Sequence, residues 1–362
     1  MTRIVSILPK GEGFSDQSFG AISLCVRDFT LHSQYRDTTV VLGGIDLPGF
    51  DGVEFQAMPA GRWYENRTSA YVNECARFIN ENNIDLVEVH NRPRFLLRLS
   101  RKVKCRLALH LHNDPQEMDK ARSAVERRQL LHMCSAVYCV SEYVRDRFLQ
   151  SVDSPYKNKV HVVYNGIAQP TSLPAKENII VFAGRMTEGK GALLLAQALR
   201  VVLPQLPEWR GVFIGSGRHE ANDKLTDYEK QVAQVLEPVK AQIRMRGFLT
   251  HEGTLEHFAN AHIAVVPSVW NEPFGRTALE AMAYGAALIS SGRGGLKEVT
   301  ADAALTLSDL NAEALAKAIM TLAENATERE RLQSAGRVRA EKFSIAECTK
   351  LLDNVRSRIF AH

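Results

Sequence analysis

The sequence predicts an α/β protein with two domains, each built on a parallel β-sheet covered by helices. Three observations support this fold class. The chain has 362 residues, and at roughly 150 residues per domain that length suits two domains with separate cores. Hydrophobic residues make up 45% of the chain, which is ample for both cores. Short apolar runs alternate with amphipathic stretches in each half, and this order gives parallel sheets.

The first half contains seven predicted strands. Several of the apolar runs lack an alternation of period two, as strands buried on both faces do. The strands are predicted at residues 3–8, 38–44, 53–58, 85–90, 106–112, 136–141 and 160–164. Helices are predicted between them, for instance at residues 20–32, 68–82 and 119–134. We assign residues 1–168 to an N-terminal Rossmann-like domain.

A linker follows, because residues 165–178 contain Gly166, Pro170 and Pro174 and show little periodicity. The alternation then restarts, with strands predicted at residues 179–183, 211–215, 242–246, 263–267 and 287–290. Helices are predicted at residues 192–202, 227–239, 255–260, 277–283 and 312–325. A last helix starts at Ser344, where Glu347 completes a capping box. The second Rossmann-like domain therefore spans residues 176–343, and residues 344–362 form a helix that crosses back to the first domain.

Composition excludes several classes of protein. The 45 Lys and Arg residues nearly balance 41 Asp and Glu residues, for a net charge of +4, and no long block of charge occurs. A disordered chain or a nucleic-acid binder is therefore not expected. The sequence contains no run of about 18 apolar residues, so no membrane-spanning helix is predicted. The six cysteines lack metal-site spacing and are expected to be free thiols in a reducing cytosol.

The first informative segment is residues 184–191, with the sequence Gly-Arg-Met-Thr-Glu-Gly-Lys-Gly. It follows a predicted strand and opens a predicted helix, whose first N–H groups and positive dipole end favour an anion. Arg185 and Lys190 add two cations that suit phosphate oxygens. The segment indicates a diphosphate site, although a turn with two solvated cations is the simpler alternative.

A second segment, residues 270–280, reads Trp-Asn-Glu-Pro-Phe-Gly-Arg-Thr-Ala-Leu-Glu. Glu272 lies in the loop before a predicted helix and Glu280 in its second turn, so both carboxylates can face one ligand at different depths. The amides of residues 274–276 are unpaired helix donors. Carboxylates and amides together suit the hydroxyl groups of a sugar. The alternative is a Glu272 favoured by the helix dipole and a solvated Glu280.

Three further loops follow predicted strands. Gly215-Ser216-Gly217 lets a ligand approach the backbone closely, although a plain tight turn gives the same pattern. Arg246-Gly247-Phe248 presents a backbone edge that can pair with a nucleobase. The alternative is that this segment is an ordinary strand end. Residues 291–298 read Ser-Gly-Arg-Gly-Gly-Leu-Lys-Glu, a flexible loop at the site or a simple connector.

Together these segments resemble glycosyltransferase family 4, the retaining nucleotide-sugar transferases of the GT-B fold. The matching parts are the Gly-Arg-x₄-Lys-Gly segment, the Glu-x₇-Glu segment and the Gly-Arg-Gly-Gly-Leu-Lys-Glu-Val loop, in this order. The match is strong in the second half of the chain and weak in the first. It implies two Rossmann-like domains that face each other across a cleft. The His-Asn-Arg-Pro segment at residues 90–93 resembles a bacterial subgroup linked to surface polysaccharide, lipopolysaccharide or coat assembly.

The resemblance implies roles for the matching residues. Arg185 and Lys190 would hold the donor diphosphate, Glu280 would accept from the ribose hydroxyls, and Glu272 would hold the transferred sugar. We expect Glu272, His112, Arg185 and Lys190 to be catalytic. The other expected donor-binding residues are Gly20, Gly215, Arg246, Gly247, Phe248, Pro273, Phe274, Gly275, Arg276 and Thr277.

In the first half, His112 matches the family's histidine at a strand end and would contact the donor sugar or the reaction centre. His110 lies on the same strand face and competes for that role, and a purely structural histidine is the simpler alternative. Gly20 stands where the family often has a Gly-Gly pair near the phosphates, so the sequence departs from the pattern there. The acceptor-side residues implied are His90, Asn91, Arg92, Asn113 and Ser141.

The sequence contains no Asp-x-Asp motif, so we expect neither a metal nor another cofactor. Cations and a helix start would then stabilise the negative charge of the departing diphosphate. The co-substrate is expected to be a nucleotide sugar, with UDP favoured. The family implies that a hexose is transferred with retention to a glycan or lipid-linked acceptor.

Residues 90–106 contain seven cations and no acid, interleaved with Phe95, Leu96, Leu97 and Leu99. Such a stretch can lie on an anionic membrane surface, so we expect a cytoplasmic enzyme with the inner face of the cell membrane as a partner. A solvated helix with its apolar face in the core is the simpler alternative.

Other functions compete with glycosyl transfer. A GT-B epimerase would release free nucleotide without an acceptor, whereas a phosphorylase would need a pyridoxal phosphate lysine and a longer chain. A catalytically silent sugar-nucleotide-binding module is disfavoured by the intact cations and carboxylates. A nicotinamide dehydrogenase is disfavoured because no Gly-x-Gly-x-x-Gly follows the first strand.

Overall fold

A computed structural model describes residues 2–58, 67–217 and 225–361 of the chain. Contacts within the chain divide it into two compact units. The first unit consists of Met1–Gly166 together with Ile345–His362, and the second of Ile167–Ser344. The last helix therefore belongs to the first unit, and the chain passes between units at Gly166 and again at Ser344.

The first unit alternates strands and helices along most of its length. Its elements are β1 (Ile4–Ile7), β2 (Phe14–Ser15), β3 (Ser18–Phe19), α1 (Ala21–His32), β4 (Thr39–Gly43), β5 (Glu54–Ala57), α2 (Arg67–Glu81), β6 (Leu86–His90), α3 (Pro93–Leu99), β7 (Arg106–Leu111), α4 (Ala124–Met133), β8 (Ala136–Cys139), α5 (Glu142–Leu149) and β9 (Val160–Val162).

Seven of these strands form one parallel sheet in the order β5-β4-β1-β6-β7-β8-β9. Strand β1 lies in the interior of the sheet, with Ile4 opposite Thr39 on one side and Leu86 on the other. Every residue of β1, β4 and β6 is buried, which is why these runs show no period of two. β2 and β3 form a separate hairpin.

The second unit repeats the alternation. Its elements are β10 (Glu177–Ala183), α6 (Ala192–Val202), β11 (Arg210–Ile214), α7 (Asp227–Leu236), β12 (Ile243–Met245), α8 (His251–Asn260), β13 (Ala261–Val266), α9 (Arg276–Ala283), β14 (Ala287–Ser290), α10 (Leu296–Thr300), β15 (Leu305–Thr306), α11 (Ala312–Glu324) and α12 (Ala326–Glu341). The six strands are parallel, in the order β12-β11-β10-β13-β14-β15. Both units are Rossmann-like, as the sequence predicts.

The last helix, α13 (Ile345–Ala361), completes the core of the first unit. Its buried residues Cys348 and Leu352 share a hydrophobic cluster with Ile4 of β1. The same helix brings Arg356 to Glu88, with Nε donating to Oε1 at 2.9 Å and Nη2 to Oε2 at 2.6 Å. Apolar packing and a buried ion pair thus fix this distant segment of chain to the first sheet.

Three predicted helix boundaries are wrong. The helix predicted at residues 119–134 begins at Ala124, because Ser123 caps it and exchanges hydrogen bonds with Glu126. The helix predicted at residues 227–239 ends at Leu236 and continues as a 3₁₀ turn containing Pro238. The helix predicted at residues 255–260 begins at His251, where Thr250 is the N-cap.

Several elements are absent from the prediction. They are β2, β3, β15, α5, α10 and the 16-residue helix α12. The helix that the simpler alternative gives for residues 90–106 is present as α3. No helix in the described ranges is long and apolar enough to cross a lipid bilayer. All six cysteines are free thiols, and only Cys105 is partly exposed.

Candidate active site

In the second unit, the glycine-rich segment after β10 carries the predicted pair of cations. A 3₁₀ turn at Glu188–Lys190 leads into α6. Arg185 is exposed, and no partner for its guanidinium is found in the described part of the chain. Lys190 is largely buried, with its side chain 23% exposed. The segment thus presents one open cation and one enclosed cation.

Lys190 is enclosed by the segment that precedes α9. Its Nζ donates to Oε1 of Glu272 at 2.6 Å and lies 5.1 Å from the ring centre of Trp270. The same carboxylate oxygen accepts from the hydroxyl of Ser268 at 2.5 Å. The structure therefore joins two segments that are 82 residues apart into one charged cluster, with Glu272 buried beneath Lys190.

The glycine loop after β14 supports the backbone of Glu272. The amide of Gly295 donates to the carbonyl of Glu272 at 2.6 Å, and Gly294 forms a parallel bridge with the same residue. Gly275, the N-cap of α9, has a φ of 106°, and a Cβ there would lie 2.4 Å from Cδ2 of Leu296. A side chain at this position would therefore strain the backbone and displace the side chain of Leu296.

Glu280 in α9 is buried and lies between two basic side chains. Its Oε1 accepts from Nε of Arg276 at 2.8 Å and lies 2.8 Å from Nε2 of His251. Burial alone would raise the pKa of the Glu280 carboxyl, but the charge of Arg276 and the contact with His251 together lower it to about 2. Glu280 is thus held as a carboxylate. The sequence pattern does not single out His251, because the helix that begins at this residue is predicted to start only at residue 255.

The loops after β11 and β12 also meet. The amide of Gly215 donates to the carbonyl of Gly247 at 2.7 Å, and the amide of Arg246 donates to the carbonyl of Phe213 at 2.8 Å. Gly215 has a φ of 117°, and a Cβ there would lie 2.0 Å from the carbonyl oxygen of Gly184. Only glycine fits at this crossing of two loops.

The predicted donor-binding residues of the second unit all follow the carboxyl ends of parallel strands. Because such ends meet at one edge of a sheet, the loops after β10 to β14 cluster there. Pro273 and Phe274 are buried in this cluster, whereas Thr277 is partly exposed. The edge holds the start of α9, two cations and two carboxylates, a combination that suits an anionic ligand carrying hydroxyl groups.

In the first unit, three histidines meet at the edge of the sheet. His90 and His110 are opposite each other in the pairing of β6 with β7, and His112 lies two residues further on the same face. The ring centres of His90 and His110 are 4.3 Å apart, and Nδ1 of His90 lies 3.0 Å from Nε2 of His112. One of these last two nitrogens donates and the other accepts.

The histidines occupy different depths. His90 and His110 are 3% and 5% exposed, and Nε2 of His110 lies 3.5 Å from Oε2 of Glu88. His112 is more accessible than both. Burial, reinforced by neighbouring His110, lowers the pKa of His112 to about 3. Burial also lowers the pKa of His90 well below its usual range. His112 is therefore a neutral imidazole at the open end of the cluster.

The three imidazoles are also the donor type that zinc accepts. One nitrogen from each ring can be chosen so that all lie within 4.8 Å of one another. The expected independence of a metal thus stays a prediction, and it needs a direct test at this cluster.

The remaining predicted residues of the first unit separate into two groups. Asn91, Arg92 and Asn113 line a cavity beside the histidines. Ser141 is fully buried, and its hydroxyl accepts from the amide of Val144 as the N-cap of α5. Ser141 does not line the cavity that the described residues form beside the histidines.

Gly20 is the N-cap of α1. The carboxylate of Glu12 accepts there from the amide of Ser23 at 3.3 Å. The chain thus supplies its own anion at the helix start where the resemblance implies phosphates.

Comparison with known proteins agrees with this geometry. The family model described as glycosyl transferases group 1 matches residues 165–339, and the model for glycosyltransferase family 4 matches residues 31–168. The chain is 27% identical over 319 residues to spore coat protein SA of Bacillus subtilis, covering 82% of each chain. It is 23% identical over 233 residues to a lipopolysaccharide 1,2-N-acetylglucosaminetransferase of Salmonella typhimurium, covering 60% of this chain and 57% of that protein.

Among solved structures, HepE from Anabaena in complex with UDP and glucose superposes with a TM-score of 0.80. The sequences are 19% identical, and the superposition covers 99% of this chain and 100% of that one. At this level of sequence identity, the superposition shows that the two proteins share a fold. With two adjoining family models that span residues 31–339, the chain belongs to the glycosyltransferases of family 4, with the GT-B fold.

Proposed function

We propose that this enzyme transfers a hexose from a nucleotide sugar, with UDP as the favoured nucleotide, to a glycan or lipid-linked acceptor with retention of the anomeric configuration. The product would contribute to cell-surface polysaccharide or lipopolysaccharide. The observation that carries the proposal is the cluster formed by Lys190, Glu272 and the segment before α9. In this cluster a cation that suits phosphate lies next to a carboxylate that can accept hydrogen bonds from sugar hydroxyls.

The charges suit the departure of a diphosphate. Breaking the bond between the sugar and phosphate leaves negative charge on the diphosphate, and fixed cations stabilise this charge without reorganisation. Arg185 would reach the phosphate from the open side. Lys190 would turn from Glu272 toward the phosphate, because a diphosphate carries more negative charge than one carboxylate. Glu272 would then be free to accept from a hydroxyl of the sugar.

The nucleoside end would lie along the neighbouring loops. The carboxylate of Glu280, fixed by Arg276 and His251, would accept from the ribose hydroxyls. The backbone of the Arg246-Gly247-Phe248 segment would pair with the base. UDP is favoured because the neighbour from Anabaena was solved with UDP and glucose. The Salmonella relative is named for an acetylglucosamine transfer in lipopolysaccharide, which supports the surface-glycan role.

On the acceptor side, the first unit offers Asn91, Arg92 and Asn113 around a cavity. His112 would contact the sugar or the reacting hydroxyl as a neutral hydrogen-bonding group, because its pKa lies near 3. In a retaining transfer of this kind the departing phosphate, and not a side chain, takes the proton of the acceptor hydroxyl. Most apolar side chains of α3, including Phe95, Leu96 and Leu99, are buried, so charge would be the main attraction between this stretch and an anionic membrane surface.

A panel of nucleotide sugars tests the donor assignment. The bound donor at about 100 times its dissociation constant should stabilise the protein by about 2.7 kcal/mol, which is read as a shift in melting temperature. The anomeric proton coupling of a glycosylated acceptor then tests retention. If no nucleotide or nucleotide sugar shifts the melting temperature, donor binding itself is refuted.

Two alternatives give different outcomes in the same assays. An epimerase-type enzyme would release free UDP from the donor without an acceptor and leave an altered free sugar. A silent binding module would show the melting shift but no turnover with any acceptor. Glycosyl transfer requires both the shift and an acceptor-dependent release of nucleotide.

A further inference from the structure

We propose that the cavity beside the histidine cluster binds an anionic group, a phosphate or a carboxylate, on the acceptor sugar. The proposal rests on the proposed function, because it names the chemical class of the acceptor. The cavity lies entirely within the first unit and has a volume of about 510 Å³. Ligand pockets typically measure roughly 300–1,000 Å³, so it can enclose one sugar with its substituent.

The cavity lies where a ligand of an open parallel sheet is expected. Leu8 follows β1, Asn91 follows β6 and Asn113 follows β7, and all three line it. These strands are neighbours in the sheet, so their carboxyl ends meet at one edge. Oδ1 of Asn91 also accepts from the amide of His112 at 3.1 Å. A ligand in the cavity would therefore be in reach of the histidine cluster.

Cations exceed acids on the cavity wall. Lys10, Arg92, Arg94 and Arg98 line it together with Asp114, Glu117 and Asp119. Two of the acids have cationic partners: Arg94 lies 2.9 Å from Asp119, and Arg147 lies 2.6 Å from Asp114.

Arg92 and Arg98 differ from Arg94 in their partners. Neither of them is within ion-pair distance of a carboxylate among the residues that the structure describes. Arg92 donates only to a backbone carbonyl, that of Asn91, at 2.8 Å. Two guanidinium groups without a counter-charge, lining one cavity, favour an oxyanion such as phosphate or carboxylate.

The rest of the wall suits the apolar face of a sugar ring. Tyr71 and Phe95 are buried, with ring centres 5.4 Å apart. The hydroxyl of Tyr71 already donates to the carbonyl of Leu8 at 3.1 Å, so this wall offers hydrocarbon surface. The cavity thus combines an apolar wall with cations, which matches a sugar bearing one negative substituent.

Binding of glucose 1-phosphate tests the proposal by calorimetry, with the full chain saturated with UDP so that the donor site is filled. Neutral methyl glucoside is the comparison ligand. We expect glucose 1-phosphate to bind at least tenfold more tightly than methyl glucoside. R92Q and R98Q should each weaken that binding about tenfold and leave the affinity for UDP unchanged. Arg101 is an exposed cation of the same basic stretch and does not line the cavity. R101Q should therefore bind glucose 1-phosphate as tightly as the unmodified protein does.

A second ligand identifies the source of the anion. If a short-chain polyprenyl diphosphate sugar displaces glucose 1-phosphate, the acceptor is lipid-linked; if it does not, the acceptor is a soluble acidic sugar, and both results support an anion site. Equal affinity for methyl glucoside and glucose 1-phosphate would overturn the proposal. An equal loss in R101Q would do so too, because it would indicate diffuse charge. Failure of UDP to bind would instead refute the proposed function.

Discussion

Nζ of Lys190 lies 2.6 Å from Oε1 of Glu272. The residue predicted to bind the donor phosphate and the residue predicted to bind the donor sugar therefore neutralise each other at the carboxyl edge of the second sheet. The pair keeps a buried carboxylate and a largely buried ammonium group compensated. Each partner is also poised to exchange the other for a part of the substrate. The contact thus links the stability of the site to its occupancy by a donor.

Replacing Lys190 tests its proposed role in charge stabilisation. A charge-assisted contact contributes about 1.5–3 kcal/mol, so K190A should lower kcat/KM by at least tenfold. K317A removes an exposed lysine of α11 and should leave kcat/KM unchanged. Steady-state kinetics over a range of donor concentrations provide the measurement. A K190A enzyme within threefold of the unmodified protein would contradict the assignment.

His251 is expected to position Glu280 for the ribose. Without the hydrogen bond from Nε2, the carboxylate keeps only its contact with Arg276 and can rotate. H251A should therefore raise the Kd for UDP three- to tenfold and change kcat at saturating donor less than twofold. H257A alters the other histidine of α8 and serves as the matched control. A loss of kcat with an unchanged Kd would show that His251 acts elsewhere.

The low pKa of Glu280 predicts a pH dependence of stability. The folded carboxyl has a pKa of about 2 against an ordinary value of 4.5, so its contribution is fully present above about pH 4.5 and is lost as the pH falls toward 2. At pH 7 the contribution is on the order of 3 kcal/mol. Unfolding of the unmodified protein and E280Q, compared from pH 7 to pH 2.5, should show a difference that shrinks below pH 4.5. A difference that stays constant with pH would refute the prediction.

The pair of Arg356 and Glu88 is expected to fix α13 to the first unit. Its arginine and glutamate side chains are 3% and 1% exposed, and removal of one partner from a buried pair costs about 3–5 kcal/mol. R356M should destabilise the first unit by this amount, and the double variant E88Q/R356M should recover at least half of the loss. R358M changes an exposed arginine of the same helix and should have little effect. Full additivity of the two substitutions would show that the pair is not coupled.

Removal of metals tests the expected metal-free reaction and the histidine cluster together. EDTA treatment followed by dialysis should leave transfer intact, because the cations of the donor edge stabilise the departing diphosphate. Metal analysis of the purified protein and of H110N is the control for an ion held by the three histidines. Inhibition by EDTA that manganese reverses would overturn the metal-free prediction.

Much of the fold follows from local patterns in the sequence. The buried strands β1, β4 and β6 are visible as apolar runs, and the motifs after β10 and before α9 identify the donor residues. Short elements such as α5 and α10 are not predicted, because five to eight residues give too little periodicity. The start of α8 was missed because its first turn is polar, and with it the partnership of His251 with Glu280.

By itself, the sequence determined two alternating halves, the family resemblance and the residue types that suit a diphosphate and a sugar. Only the tertiary structure decided that Lys190 contacts Glu272 and that His112 is the accessible member of the histidine cluster. It alone shows that Arg92 and Arg98 share one cavity. Such relationships depend on strand order and register, which bring together residues far apart in the chain, whereas periodicity and spacing report only on neighbours along it.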